Sequence, residues 1–202
     1  MSKTKKGKYH HRDIYLNAAL DIIREDGIER LTMRHLAEKL DVSAMAVYKH
    51  FANKNELLKA LLDAFIARAD VLPKKALRWQ EWIRHVARRM HDALQGETVF
   101  LTVLGGMDMG EQAMEVTRAF LEKMTDSGFS VQQAFEAYMV MIQLVLGSAI
   151  LQAGIQQHRK KTLEFVSGGA SKSVAHALTS QSQIDISLGY LIVSLEYRLA
   201  GD

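Results

Sequence analysis

From Ser43 to Phe51 the chain reads Ser-Ala-Met-Ala-Val-Tyr-Lys-His-Phe, a set of side chains suited to contact with a duplex nucleic acid. Val47 and Phe51 stand four apart and share one face of a helix. Ala44, Met45, Ala46, Tyr48, Lys49 and His50 are then left for the rest of the cylinder. Small residues at 44 and 46 let the backbone come close to bases, and with few long polar side chains at 44 to 47, readout falls partly to apolar contact with thymine methyls. Upstream, Thr32 to Leu40 reads as another short helix, and Asp41-Val42-Ser43 as a tight turn. Two short helices around such a turn are the grammar of a DNA-reading helix-turn-helix.

Other chemistries find little support. Gly105-Gly106-Met107-Asp108-Met109-Gly110 is glycine-rich but lacks the lysine and Ser/Thr of a phosphate-binding loop, and no strand precedes it, so it reads as a helix connector. There is no His-Glu-x-x-His, no Gly-x-Ser-x-Gly and no histidine pair at metal spacing, so neither an enzyme nor a metal or other cofactor is expected. The absence of cysteine removes disulfides and thiolate chemistry and fits a reducing compartment.

The elements that must hold the motif are helical. One proline in 202 residues, with no alternating β-branched runs, predicts an all-α protein. Ile14, Ala18 and Ile22, with Ala19 and Ile23, form the inner stripe of a first helix that Asp26-Gly27 ends. Thr32 and Ser43 are N-caps for the motif helices, and Asn53 with Glu56 makes a capping-box pattern for a fourth helix running to about Asp70. Val71-Leu72-Pro73 marks a hinge. Further helices are expected near 77–95, 97–104, 109–126, 130–154 and 184–200, with Ser130 and Gln133 as another capping box, Gly128 as a stop, and 156–183 as a long loop or loose insertion. The expected organisation is a basic flexible tail at 1–11, a helix-turn-helix head with its connecting helix at 12–70, and an effector-binding and dimerisation domain at 71–202.

Composition bounds the setting. Hydrophobic content of 48% is ample for a core. Apolar runs are too short for a membrane span and the N-terminus lacks the apolar block of a signal peptide, so a cytoplasmic protein without a membrane partner is expected. The net charge of +3 is uneven: the first twelve residues carry five cations and no acid, and the remainder sums to −2. Such a tail serves either as a solubilising leader or as a source of phosphate and minor-groove contacts.

With these residues laid out, the N-terminal third resembles the tetracycline-repressor (TetR) family of bacterial transcriptional regulators. The resemblance rests on Ala18-Ala19, Gly27, Leu31-Thr32, Leu36-Ala37-Glu38-Lys39-Leu40, Val42-Ser43, Val47-Tyr48-Lys49-His50-Phe51 and Asn53-Lys54-Asn55-Glu56-Leu57-Leu58, in unbroken register over about residues 12 to 62. Residues 79 to 200 look like the tetracycline-type C-terminal domain through their helix order, Val145-Leu146-Gly147 and Gly189-Tyr190-Leu191. The resemblance implies an all-helical homodimer on a palindromic double-stranded operator, a small-molecule pocket in the C-terminal domain, and repression relieved by the ligand. It also implies that Thr32 and Arg34 touch phosphates, that Ser43, Ala44, Met45, Ala46 and Lys49 face bases or flanking backbone, and that Tyr48, His50 and Lys54 bond phosphate. Lys49 is the strongest base contact by its chemistry, most simply to guanine. Two departures stand out. Asp41 occupies a turn position where the family usually has glycine, and the residue set that holds a magnesium–tetracycline complex finds no clear match.

The seven methionines beyond the hinge suit a pocket for apolar ligands, though each alone reads as gap-filling in a helical core. The expected ligand-facing set is His85, Met90, His91, Phe100, Met107, Met114, Phe135, Tyr138, Met139 and Gln143, with Gln152 as a further polar candidate and Trp79 and Trp82 as packing anchors. Small residues Gly147, Ser148, Ala149, Gly189 and Ser194 allow close approach in a four-helix dimer seam. The competing reading keeps the DNA-binding head but gives the second domain a protein partner, through His158-Arg159-Lys160-Lys161.

Overall fold

The computed structural model describes the backbone of residues 6–103, 110–157 and 183–201, all helix, turn or irregular chain with no strand among them. Met107 and the segment 158–161 lie outside the described residues. The helices are α1 (Lys6–Asp26), α2 (Met33–Lys39), α3 (Ala44–Tyr48), α4 (Lys54–Ala69), α5 (Trp79–Gly96), α6 (Phe100–Val103), α7 (Glu111–Thr125), α8 (Val131–Gln157) and α9 (Gln183–Gly201). A 3₁₀ turn at Ile28–Arg30 joins α1 to α2. α1 takes in residues 6–11, which the charge pattern groups with the tail. The chain forms two compact units, residues 1–65 with 102–111, and residues 66–101 with 112–202.

In the first unit, α1 buries Tyr15, Ala18, Ala19, Ile22 and Ile23, while α2 buries Met33, Leu36 and Ala37. Ile14, expected on the inner stripe, is 52% exposed; the stripe begins at Tyr15, whose ring meets Phe51 edge-on at 6.3 Å. α4 adds Leu57, Leu58, Leu61, Leu62 and Phe65 at the i, i+3, i+4 spacing of a helix buried along one side. Asp63, on this helix, accepts the Glu111 backbone N–H at 3.1 Å, so α4 supplies the oxygen that caps the start of α7. Gly110 leaves room for it, since a Cβ there would overlap the Asp63 carboxylate.

The second unit is built on α5, whose buried residues Trp79, Trp82, Ile83, Val86, Ala87, His91 and Leu94 form a continuous stripe facing α8 and α9. Trp82, Phe120 and Tyr138 make successive edge-on contacts at 5.6 and 5.3 Å, and Trp79 meets Phe129 at 5.2 Å. Ser130 and Gln133 form the reciprocal capping box at the start of α8: Ser130 Oγ accepts the Gln133 N–H at 3.2 Å and Gln133 Oε1 accepts the Ser130 N–H at 2.8 Å. Gly128, at φ 101°, ends α7 as expected. α8 buries only a narrow line of Ala134, Ala137, Met141, Val145 and Ala149. By length and composition it would pass for a membrane span, which the short apolar runs in the sequence do not suggest. It packs against α9, with an Arg198–Glu136 ion pair of 2.7 Å between the helices.

Candidate nucleic-acid interface

The turn between α2 and α3 sets how the second motif helix is presented. Val42 N–H donates to the Ala37 carbonyl at 3.0 Å and Asp41 N–H to the Glu38 carbonyl at 3.2 Å, the paired bonds of a Schellman C-cap. That motif needs a left-handed residue at Asp41, and its φ is 52°. Both expected N-caps form. Thr32 Oγ1 accepts the His35 N–H at 3.0 Å, and Ser43 Oγ accepts the Ala46 N–H at 3.2 Å. Asn53 caps Glu56 N–H at 2.9 Å, while the Glu56 carboxylate reaches one residue further back than a standard box, to Ala52 N–H at 2.9 Å.

α3 is only five residues long, too short to persist by propensity, so tertiary contacts must hold it. Val47 is fully buried and Phe51, just past the helix, is 1% exposed. Met45 is 67% and Tyr48 50% exposed; Ala44, Lys49 and His50 are also exposed, and Ala46 is half-buried. Met45 and Tyr48 thus leave large apolar and aromatic groups in water on a helix braced from beneath. Ser43, Ala44, Met45, Tyr48 and Lys49 are all open to solvent.

The remaining candidates have partners. The exposed Arg34 side chain lies 2.9 Å from Glu38 one turn on, a surface pair that a stronger anion can displace. Lys54 is half-buried, and its Nζ donates to the Ile28 carbonyl at 2.8 Å, tying the start of α4 to the 3₁₀ turn. His50 rests against Tyr15, with ring centroids 4.7 Å apart. Lys39 reaches Glu25 of α1 at 2.7 Å; this bond raises the lysine pKa above its ordinary value and pins α2 to α1. Arg12 was legible in the sequence only as part of a charged tail, yet its guanidinium sits 5.1 Å from the Phe51 ring centroid. The spacing of Arg12 and Tyr15, one helical turn apart, is the signal that puts them on the same face.

The ligand candidates scatter. His91 and Phe100 are buried, His85, Met90 and Tyr138 are half-buried, and Met114, Phe135, Met139 and Gln143 lie on the exposed sides of α7 and α8. The Tyr138 hydroxyl is 2.8 Å from that of Thr117, and burial raises its pKa above the ordinary value. His91 is wholly buried, with Nε2 3.2 Å from Ser148 Oγ. Its Nδ1 has no hydrogen-bond partner, Asp92 Oδ1 being 3.9 Å away and out of reach. Burial lowers the imidazole pKa, against the pull of Asp92. Among the described residues no group of three or more acids and histidines could hold a metal ion.

A capped helix-turn-helix with an exposed second helix, joined to an all-helical unit, defines the class of helix-turn-helix regulators. Residues 16–61 match the family described as bacterial regulatory proteins, tetR family, and residues 72–180 match the tetracyclin repressor-like C-terminal domain. The chain belongs to the tetracycline-repressor family. It is 33% identical over 137 residues to the tetracycline repressor protein class A from transposon 1721 of Escherichia coli, a match covering 67% of this chain and 63% of that relative. The match therefore spans less than two thirds of the relative's length. Among solved structures it is similar to a TetR variant from Acinetobacter baumannii AYE in complex with minocycline, at 25% identity and TM-score 0.69, covering 91% of this chain and 94% of the other. It is also similar to BioQ with its natural double-stranded DNA operator, at 26% identity and TM-score 0.66, covering 95% and 99%.

Proposed function

We propose that this chain is a ligand-responsive DNA-binding transcriptional regulator, a repressor released from its operator by a small lipophilic effector. The observation that carries the reading is the exposed side of α3: Met45, Tyr48 and Lys49 stand in water on a helix braced by buried Val47 and Phe51. Ser43, Ala44, Met45, Ala46 and Lys49 take the base-facing role. Thr32, Arg34, Tyr48, His50 and Lys54 take the phosphate role, fixing register while the others read sequence. The minocycline complex and the operator complex among its relatives support the two halves of this reading.

The acting species is a homodimer joined through α8 and α9. Ile186, Tyr190, Val193 and Tyr197 repeat at spacings of four, three and four on the exposed side of α9, beside exposed Val140 of α8. A second copy covers this stripe, and the dimer offers two recognition helices to successive major grooves about 34 to 36 Å apart. The effector engages the second unit, where Phe100 and Tyr138 supply apolar surface and the unpartnered Nδ1 of His91 supplies one orienting hydrogen bond. α4 begins in the head and ends in the second unit, and an effector that prefers one setting of this helix shifts the population away from the operator-binding state.

Fluorescence anisotropy against duplex DNA flanking the chain's own gene, with random duplex as control and at two salt concentrations, tests the reading. Saturable binding above the control, lost in a Tyr48→Phe, Lys49→Ala double variant, is the expected result. Equal, steeply salt-dependent binding to both duplexes would reduce the interaction to nonspecific phosphate attraction and refute a local operator.

A further inference from the structure

We infer that Arg12, on α1, is a phosphate-contacting residue of the DNA interface, held in place by the aromatic cluster of Tyr15, His50 and Phe51. The inference rests on the DNA-binding reading above and extends the interface to a helix outside the motif. Phe51 is buried, with Tyr15 edge-on to it and the Arg12 guanidinium 5.1 Å from its centroid. His50 lies against Tyr15, with ring centroids 4.7 Å apart and the planes tilted by 37°, while remaining exposed. The fold thereby carries an arginine 38 positions away in sequence to the end of the recognition segment, alongside His50.

Three features point to phosphate rather than to packing alone. Arg12 is exposed, so its fork of N–H donors is available to an anion while its charge sits over the ring. No acidic side chain pairs with it among the described residues, unlike Arg34 with Glu38 and Lys39 with Glu25. This cation–ring contact also restrains the long side chain before DNA arrives, so less rotamer freedom is lost on contact. A nucleic-acid backbone contact of this kind is indifferent to sequence, so Arg12 adds affinity and register without selecting bases.

The salt dependence of binding separates this role from a structural one. Wild type, Arg12→Gln, Arg12→Lys and, as a control in α7, Arg118→Gln are titrated with a random-sequence duplex at several salt concentrations, and their melting temperatures are measured alongside. Loss of one phosphate contact lowers the slope of log K against log salt by about 0.9 per bound protomer and the affinity about tenfold at 50 mM salt. Arg12→Gln should show both changes, Arg12→Lys should retain most of the slope, and Arg118→Gln should match wild type. A lower melting temperature with an unchanged slope in Arg12→Gln would overturn the inference and leave Arg12 a packing residue. Wild type that binds no duplex at any salt would instead overturn the DNA-binding reading, and this inference with it.

Discussion

Asp41 places a residue with a Cβ where the α2–α3 turn demands a left-handed backbone, at φ 52°. That conformation costs an ordinary L-residue roughly 1–2 kcal/mol, and Asp sits toward the low end because its short side chain tolerates it. Glycine removes the strain but loses about 0.5–1 kcal/mol more backbone entropy on folding. The Asp41 side chain is exposed and makes no hydrogen bond among the described residues, so its removal forfeits no contact there. Asp41→Gly should therefore be neutral to stabilising by about 0.5 kcal/mol, whereas Asp41→Ala keeps the Cβ, loses the tolerance and should be destabilising by about 1 kcal/mol. Asn at the same site keeps the tolerance without the charge and should track wild type. The assay is native-state amide exchange at Val42, whose N–H bond to Ala37 closes the turn. About 1 kcal/mol corresponds to roughly a fivefold change in the opening equilibrium. Both tryptophans lie in α5, so their fluorescence follows the second unit and should be unmoved by these substitutions. Exchange in Asp41→Ala as slow as in Asp41→Gly would refute the claim that backbone strain governs this turn.

Gly110→Ala drives a Cβ into the Asp63 carboxylate and breaks the cap on Glu111, so it should cost about 1–2 kcal/mol by urea denaturation. In the Asp63→Ala background the same change should cost clearly less, and strict additivity would deny the contact. His91 predicts an acid-labile fold: its folded pKa lies below the ordinary value near 6.5, so as pH falls below 6.5 the unfolded chain binds a proton that the folded chain does not. Stability should fall as pH drops from 7 to 5, and His91→Gln should flatten that slope; parallel slopes in the two proteins would exclude the residue. On the exposed stripe of α9, Val193→Asp should convert a dimer to a monomer in light scattering and weaken operator binding, while an unchanged mass would move the interface elsewhere.

The head's grammar was readable in advance because its signals are short-range. Thr32, Ser43 and Ser130 cap N–H groups within three residues of themselves, Gly128 ends a helix through its own backbone, and the four-residue spacing of Val47 and Phe51 assigns them to one face. Each of these depends on chemistry confined to about one helical turn, which a linear sequence carries in full. Periodicity tells which side of a helix is covered but not by what. The lodging of Arg12 over Phe51, the rest of His50 on Tyr15, the attachment of Lys54 to Ile28 and the capping of α7 by Asp63 join residues far apart in the chain, and tertiary packing alone decided them. Ile14 and His91 show the same limit from both sides. An apolar residue in register is left in water and a polar one is wholly buried, because burial is set by the neighbouring helices and not by the residue's own preference.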